Sequence, residues 1–303
     1  MEASQATLRV GELSGADLSG AELLLWRRSR LEAGGRAADL DWLLDLAAGV
    51  GWQQLQTLRL HPNQKVRVRR PLPELEGLWT RHLFFEEPLQ YLVGLCAWRD
   101  LQLAVAPGVL IPRAETELLV ELAGACVRRT GPALWADLGT GSGCLALALA
   151  RLWPASKGIA VDLSPEARLQ AAANLRAHGL QDRVTLVEGS WWEPLADQAG
   201  RIDLAVANPP YIPSRIWREL EPLVRDHEPA LALDGGADGL AAIRSIAAGA
   251  ARHLAPGGWL LLEHHHDQSP AVLALLRQSG LVEASAHRDL EGRLRFAIAR
   301  ASD

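Results

Sequence analysis

The tetrapeptide Asn208-Pro209-Pro210-Tyr211 combines residue types well suited to handling a polar planar group. It follows the apolar run from Ile202 to Ala207, which reads as a buried strand, so the motif falls at a strand's carboxyl end. Open α/β sheets bind ligands along that edge. Two successive prolines donate no backbone hydrogen bonds and fix their own φ angles. The Asn208 side chain and the Pro209 carbonyl are then held outward as a short row of acceptors facing the Tyr211 ring. Such a row suits an NH2 group on an amide or on an exocyclic base amine. It holds the group by its hydrogens and leaves the nitrogen aimed at an electrophile. Taken alone, the tetrapeptide also fits a turn, because Asn and Pro are both turn formers.

A second constellation lies upstream. Asp137-Leu138-Gly139-Thr140-Gly141-Ser142-Gly143 ends an apolar strand and opens a helix. Glycines let the backbone turn tightly and approach a ligand closely. The full dinucleotide pattern would need glycine at 144, where Cys144 stands. The Gly-x-Gly-x-Gly spacing favours a nucleoside with a small charged tail over a pyrophosphate. Asp162 ends the next strand, 19 residues after Gly143, where a carboxylate can accept both hydroxyls of a ribose. It also fits a helix N-cap, with Ser164-Pro165 competing for that role. Trp191 and Trp192 follow the third strand, where a ring can stack on an adenine or fill the core.

These residues need a scaffold that brings strand ends together. From Leu118 onward, strands and helices alternate, the mark of a parallel α/β sheet. Strands are expected at 133–138, 158–161, 183–188, 201–207 and 259–263, with helices at 144–153 and up to Ala177. Two closing strands, 282–287 and 295–300, are close enough in sequence to form an antiparallel pair. Residues 1–90 read as helical: Leu23, Leu24 and Trp26 open one apolar stripe, and Leu40, Leu43, Leu44 and Ala47 another. The basic run Lys65, Arg67, Arg69 and Arg70 reads as a solvated loop, with a binding patch as the alternative. Residues 91–112 are expected to form a linker or hairpin, with 113–303 as the catalytic domain.

Composition narrows the function classes. The apolar fraction of 49% supplies a globular core, and no apolar run is long enough to span a membrane. Glu2, Glu12 and Asp17 break the basic-then-apolar pattern of a signal peptide. Three scattered cysteines, Cys96, Cys126 and Cys144, fit a reducing cytoplasm and form no zinc spacing. A net charge of −5 gives no general attraction to nucleic acid, so no direct nucleic-acid partner and no membrane partner are expected. No metal site is expected either. Eleven tryptophans against three phenylalanines have no functional reading in the sequence.

Together the glycine loop, Asp162 and Asn208 to Tyr211 resemble a class I S-adenosylmethionine-dependent methyltransferase, an α/β fold with a Rossmann-like seven-stranded sheet. The Asn-Pro-Pro-Tyr motif occurs both in adenine-N6 DNA methyltransferases and in protein glutamine-N5 methyltransferases. The flanks resemble the second group, specifically the PrmC/HemK family that modifies peptide chain release factors. The resemblance runs through Pro88-Leu89-Gln90-Tyr91, Val109 to Arg113, Glu115 to Glu117, Asp137 to Ala150, Asn208 to Pro213, Glu228 to Leu233 and Leu254 to Glu263. It implies S-adenosylmethionine against Gly139, Thr140, Gly141, Ser142, Gly143, Asp162, Trp191 and Asn208. It implies the glutamine of a Gly-Gly-Gln loop in class I release factors against Asn208, Pro209, Pro210 and Tyr211, with Asn208, Pro209 and Tyr211 serving the chemistry. The helical N-terminal domain would recognise the substrate protein. A glutamine methyltransferase of a ribosomal protein shares the same motif. Two positions depart from the family pattern: Ala114 replaces a usual Pro, and His265 a usual Gly, which would strain the loop if φ there were positive.

Overall fold

The computed structural model describes residues 15–127 and 131–303; Glu2 and Glu12 lie outside them. Two compact units emerge. One holds the described residues up to Cys96 together with Pro222–His227, and the other holds Ala97–Glu221 and Glu228–Asp303.

The strands in chain order are β1 (Ala16–Ser19), β2 (Lys65–Val68), β3 (Leu95–Trp98), β4 (Leu101–Ala104), β5 (Leu134–Leu138), β6 (Lys157–Asp162), β7 (Val184–Glu188), β8 (Ile202–Ala207), β9 (Leu254–Glu263), β10 (Val282–Arg288) and β11 (Leu294–Arg300). The first unit is mainly helical. Its opening helix, Gly20–Glu32, starts on a capping box: Ser19 Oγ accepts from the Glu22 amide, and the Glu22 carboxylate accepts from the Ser19 amide. Two orphan helix-end donors are thereby satisfied. Leu23, Leu40, Leu43, Leu55, Leu58, Leu75 and Trp79 close the core of this unit. The first half of the basic run is a strand here, and Arg69 and Arg70 follow it outside the strand. Lys65–Val68 pairs antiparallel with Ala16–Ser19, with Val66 and Val68 buried and Lys65 and Arg67 exposed. Its two-residue alternation is a strand signal that the charges obscured.

The second unit is built on a seven-stranded sheet in the order β10-β11-β9-β8-β5-β6-β7. The strands from β9 to β7 pair in parallel, while β11 joins β9 and β10 antiparallel. Side chains alternate between two cores. Trp135, Leu204 and Val206 face one, with helices Glu117–Cys126, Cys144–Leu152 and Pro165–Ala177. Ala136, Leu138, Ile202, Ala205 and Ala207 face the other, with helices Ala241–His253 and Ser269–Gln278. Coverage on both faces explains why these strands read as continuous apolar runs.

The fifth sheet strand starts five residues earlier than expected. Pro256-Gly257-Gly258 looks like a turn, yet β9 runs through it as an irregularity between Ile202↔Leu254 and Leu204↔Trp259. Trp79, Trp98, Trp135, Trp153 and Trp192 are buried, so core filling absorbs much of the tryptophan bias.

Candidate active site

Three parallel strands, β5, β6 and β8, end along one edge of the sheet, and each delivers a piece of the site. β5 ends at Leu138 and the glycine loop follows. Asp137 is fully buried; its Oδ2 accepts from Thr140 Oγ1 at 2.6 Å and from the Ala146 amide at 3.1 Å. One carboxylate thus ties the loop to the first turn of the helix behind it. The other oxygen, Oδ1, has no partner among the described residues, and burial pushes the Asp137 carboxyl up to about 7. Gly139 adopts φ +78°, and a Cβ there would lie 3.1 Å from the Trp191 ring. Gly143 adopts φ +83°, and a Cβ there would press on Ala171 at 3.2 Å, so this glycine serves helix packing and is not part of the cavity wall.

β6 ends at Asp162. Its Oδ2 accepts from the Gly141 amide at 2.8 Å and its Oδ1 from the Ser164 amide at 2.9 Å. The next helix is capped by Ser164, whose Oγ accepts from the Ala167 amide. Asp162 is therefore not the cap, and its carboxylate keeps capacity for a further donor. Burial raises its carboxyl pKa, against hydrogen bonds that lower it. The two tryptophans after β7 divide. Trp191, at φ +51°, lines the cavity. Trp192 is buried, donates from Nε1 to the Ile246 carbonyl at 2.7 Å and stacks on His253, so it is a core residue.

β8 ends at Ala207, and Asn208 follows on the cavity wall. Its Nδ2 donates to Thr116 Oγ1 at 2.9 Å, and Thr116 Oγ1 donates to Glu263 Oε2 at 2.7 Å. Tyr211 Oη donates to Glu263 Oε1 at 3.0 Å. Pro210 also lines the cavity, whereas the buried Pro209 and the half-buried Tyr211 do not. The Glu263 carboxylate, at the carboxyl end of β9, is fully buried and its pKa is raised by desolvation. The same environment, with the adjacent carboxylate, raises the Tyr211 phenol pKa, so it stays protonated as a donor.

The cavity at this edge measures about 620 Å³. Gly139, Thr140, Gly141, Ser142, Asp162 and Trp191 line it on one side. Arg113, Thr116, Asn208, Pro210 and the segment around Leu231 line the other. Glu228 braces two of the loops there: it pairs with Arg113 at 2.5 Å and accepts from the Ile111 amide at 3.1 Å.

A methyltransferase-domain model matches residues 136–226. Over 93% of its length the chain is 48% identical to the release factor glutamine methyltransferase of Prochlorococcus marinus, covering 97% of that protein. It is 45% identical to the one from Thermosynechococcus vestitus, over 84% of this chain and 88% of the other. It is 38% identical to the one from Synechocystis, over 93% and 97%. This chain belongs to the release factor glutamine methyltransferase family.

It is accordingly an enzyme of the class I methyltransferase fold. As a member of the release factor glutamine methyltransferase family it departs at His265 without strain. The backbone there is not left-handed, its amide donates to Gln268 Oε1 at 2.9 Å, and its ring meets Asp267 at 2.6 Å. At Ala114 the carbonyl accepts from the Glu117 amide, so the turn forms without Pro. No sequence pattern assigns a role to Thr116, Arg113, Glu228 or Glu263. Only Glu263 carried a readable signal, an acid closing an apolar strand on the same sheet edge as Asn208.

Proposed function

We propose that this enzyme transfers a methyl group from S-adenosylmethionine to the side-chain amide nitrogen, N5, of the glutamine in the Gly-Gly-Gln loop of class I release factors, in the cytoplasm. The observation that carries this reading is the orientation of Asn208. Its NH2 is tied back to Thr116, and its Oδ1 accepts no hydrogen bond among the described residues, which leaves an acceptor on the cavity wall.

The cavity fits the cofactor. Gly141 presents open space where a side chain would stand, and Gly139 lets the chain pass under the Trp191 ring. Asp162 retains lone pairs for ribose hydroxyls, and Trp191 offers a face for the adenine. These residues, with Thr140 and Ser142, would hold S-adenosylmethionine. When bound, it supplies an electrophilic methyl group on a sulfonium centre.

A glutamine amide nitrogen is a weak nucleophile because its lone pair is delocalised into the carbonyl. Asn208 Oδ1 accepts one of its N–H bonds, and the Pro209 carbonyl, joined to the cavity-lining Pro210, is the acceptor for the other. They orient the nitrogen and stabilise the positive charge that grows on it. Pro210 gives the acceptor row a rigid floor, and Tyr211, anchored on Glu263, fixes the loop behind it. The surplus proton leaves to solvent, and no side chain is assigned as base. The helical unit, which holds none of these groups, is the surface proposed to engage the body of the release factor.

The test is transfer of a radiolabelled methyl group to a purified release factor, to its loop Gln→Ala variant and to ribosomal proteins. Label on the first alone supports the reading. Label that persists on the Gln→Ala variant, or that goes to a ribosomal protein, overturns it.

A further inference from the structure

We propose that Thr116 and Glu263 are positioning residues that set which end of the Asn208 amide faces the substrate. The inference rests on the reading above, in which Asn208 receives the substrate amide.

An asparagine amide presents a donor end and an acceptor end of nearly identical shape. Only the acceptor end can hold a substrate NH2; the donor end would meet it donor to donor. Something must therefore choose between two orientations half a turn apart. Neither the strand before Asn208 nor the prolines after it can choose, because backbone geometry does not distinguish oxygen from nitrogen.

The chain of bonds behind Asn208 does distinguish them. An ionised carboxylate only accepts hydrogen bonds, and at Glu263 the Thr116 and Tyr211 hydroxyls and the Arg295 charge favour that form against the desolvation that opposes it. Glu263 is fully buried, and its two oxygens face two hydroxyls, Thr116 Oγ1 at 2.7 Å and Tyr211 Oη at 3.0 Å. Each hydroxyl has one hydrogen, and each gives it to the carboxylate. Thr116 Oγ1, with its hydrogen committed, can then only accept from Asn208. The group 2.9 Å away must be the NH2, and the amide oxygen is left for the cavity. Reversing Asn208 would leave Thr116 Oγ1 against another acceptor, or pull its hydrogen away from a buried carboxylate. Both outcomes leave a buried polar group unpartnered.

This arrangement spans three separate segments. Thr116 precedes the helix Glu117–Cys126, Asn208 and Tyr211 follow β8, and Glu263 ends β9. Thr116 itself reaches the cavity wall while remaining 2% exposed, so it is a fixed part of the site and not a mobile surface group. The carboxylate makes no contact with the cavity, so its part is to set the polarity of the two hydroxyls.

The test compares T116V, which replaces the hydroxyl by a methyl of similar size, with T116S, which keeps it. Rates and cofactor affinity are read separately, by single-turnover methyl transfer and by calorimetry. The expected result is a kcat lowered roughly 10–100-fold in T116V, near-normal transfer in T116S, and unchanged cofactor affinity in both. E263M should behave as T116V does. E263Q should lose less, since its amide oxygen can still accept from Thr116 while its NH2 turns to Tyr211 Oη. On an N208A background, T116V should add no further loss, because the group it orients is gone. Normal kcat in T116V overturns the proposal, as does an equal loss in T116S, which would trace the effect to packing. An additional loss from T116V on the N208A background also overturns it. Full transfer by N208A alone is a different failure: it removes the reading of Asn208 itself.

Discussion

The backbone N–H of Gly141 donates to the Asp162 carboxylate at 2.8 Å, tying the glycine loop after β5 to the end of β6. Asp162 thus has two tasks, holding the loop and offering its remaining lone pairs to a ligand. Replacing it by Ala should remove both. A hydrogen bond to a charged group contributes about 1.5–3 kcal/mol, so the D162A variant should bind S-adenosylmethionine roughly 10–100-fold more weakly. D162N should fall between, because an amide oxygen can accept from Gly141 or from Ser164 but offers fewer lone pairs to a ligand. The rate at saturating cofactor should change much less. Calorimetric titration of the three proteins checks this, and unchanged affinity in D162A would reduce the residue to a loop tether.

Much of this arrangement is legible in the sequence because it is local. β5, β6 and β8 are covered on both faces, so they appear as unbroken apolar runs, and the residues just past their ends are read directly from position. The glycine loop, Asp162 and Asn208 all stand at such ends. The bond between Thr116 and Glu263 joins residues 147 positions apart, and no periodicity links them. Trp191 and Trp192 differ in fate through one backbone angle, φ +51° at Trp191, which sequence pattern does not carry. Gly143 belongs to the motif, yet what demands it is its own φ of +83° together with Ala171 on another helix. The strand at Lys65–Val68 was hidden for a different reason: charge on its exposed face outweighed the alternation beneath.

Asp137 should leave a signature in stability against pH. Burial raises its carboxyl pKa from 3.8 to about 7 in the folded protein. Between those values the folded protein holds a proton that the unfolded chain has released. Its contribution to stability is therefore full below pH 3.8 and is lost as pH rises towards 7. Asp162, also raised by burial, adds to the slope with the same sign. Three pH units correspond to at most a few kcal/mol. Denaturant titrations of the cofactor-free D137N variant should show a shallower fall over this window. An identical slope in D137N and the parent would mean that Asp137 is ionised in the fold with its charge compensated.

Asn208→Ala should abolish transfer while weakening cofactor binding only modestly. Asn208 is one of many residues on the cavity wall, but in the proposed reaction it supplies the acceptor for the reacting amide. By analogy with oxyanion-hole donors, removing one such contact costs roughly 10²–10³-fold in kcat. Single-turnover transfer with saturating S-adenosylmethionine measures the loss directly. Near-normal rates would show that the amide is held by something else.

Removing residues 1–88 should separate binding of the release factor from the chemistry. Every residue lining the cavity lies from Gly108 onward, so the cut spares the whole wall. It does remove the partners of Pro222–His227, the segment that clusters with the helical unit; His227 Nε2, for instance, lies 3.1 Å from the Phe85 carbonyl. Cofactor affinity is therefore the control for an intact site, and it should stay close to that of the full chain. A loop glutamine carried on a large protein must meet the association and ordering costs of a complex, several kcal/mol in all, and a single small pocket offers little surface to offset them. The helical unit is the additional surface proposed for this. The truncated enzyme should accordingly show a KM for release factor raised about tenfold or more, with kcat at saturation lowered far less. Parallel titrations of both proteins with release factor, and with a short peptide bearing the Gly-Gly-Gln loop, make the distinction. The peptide should be methylated equally well by both. Equal efficiency on the intact release factor would show that the helical unit takes no part in recognition.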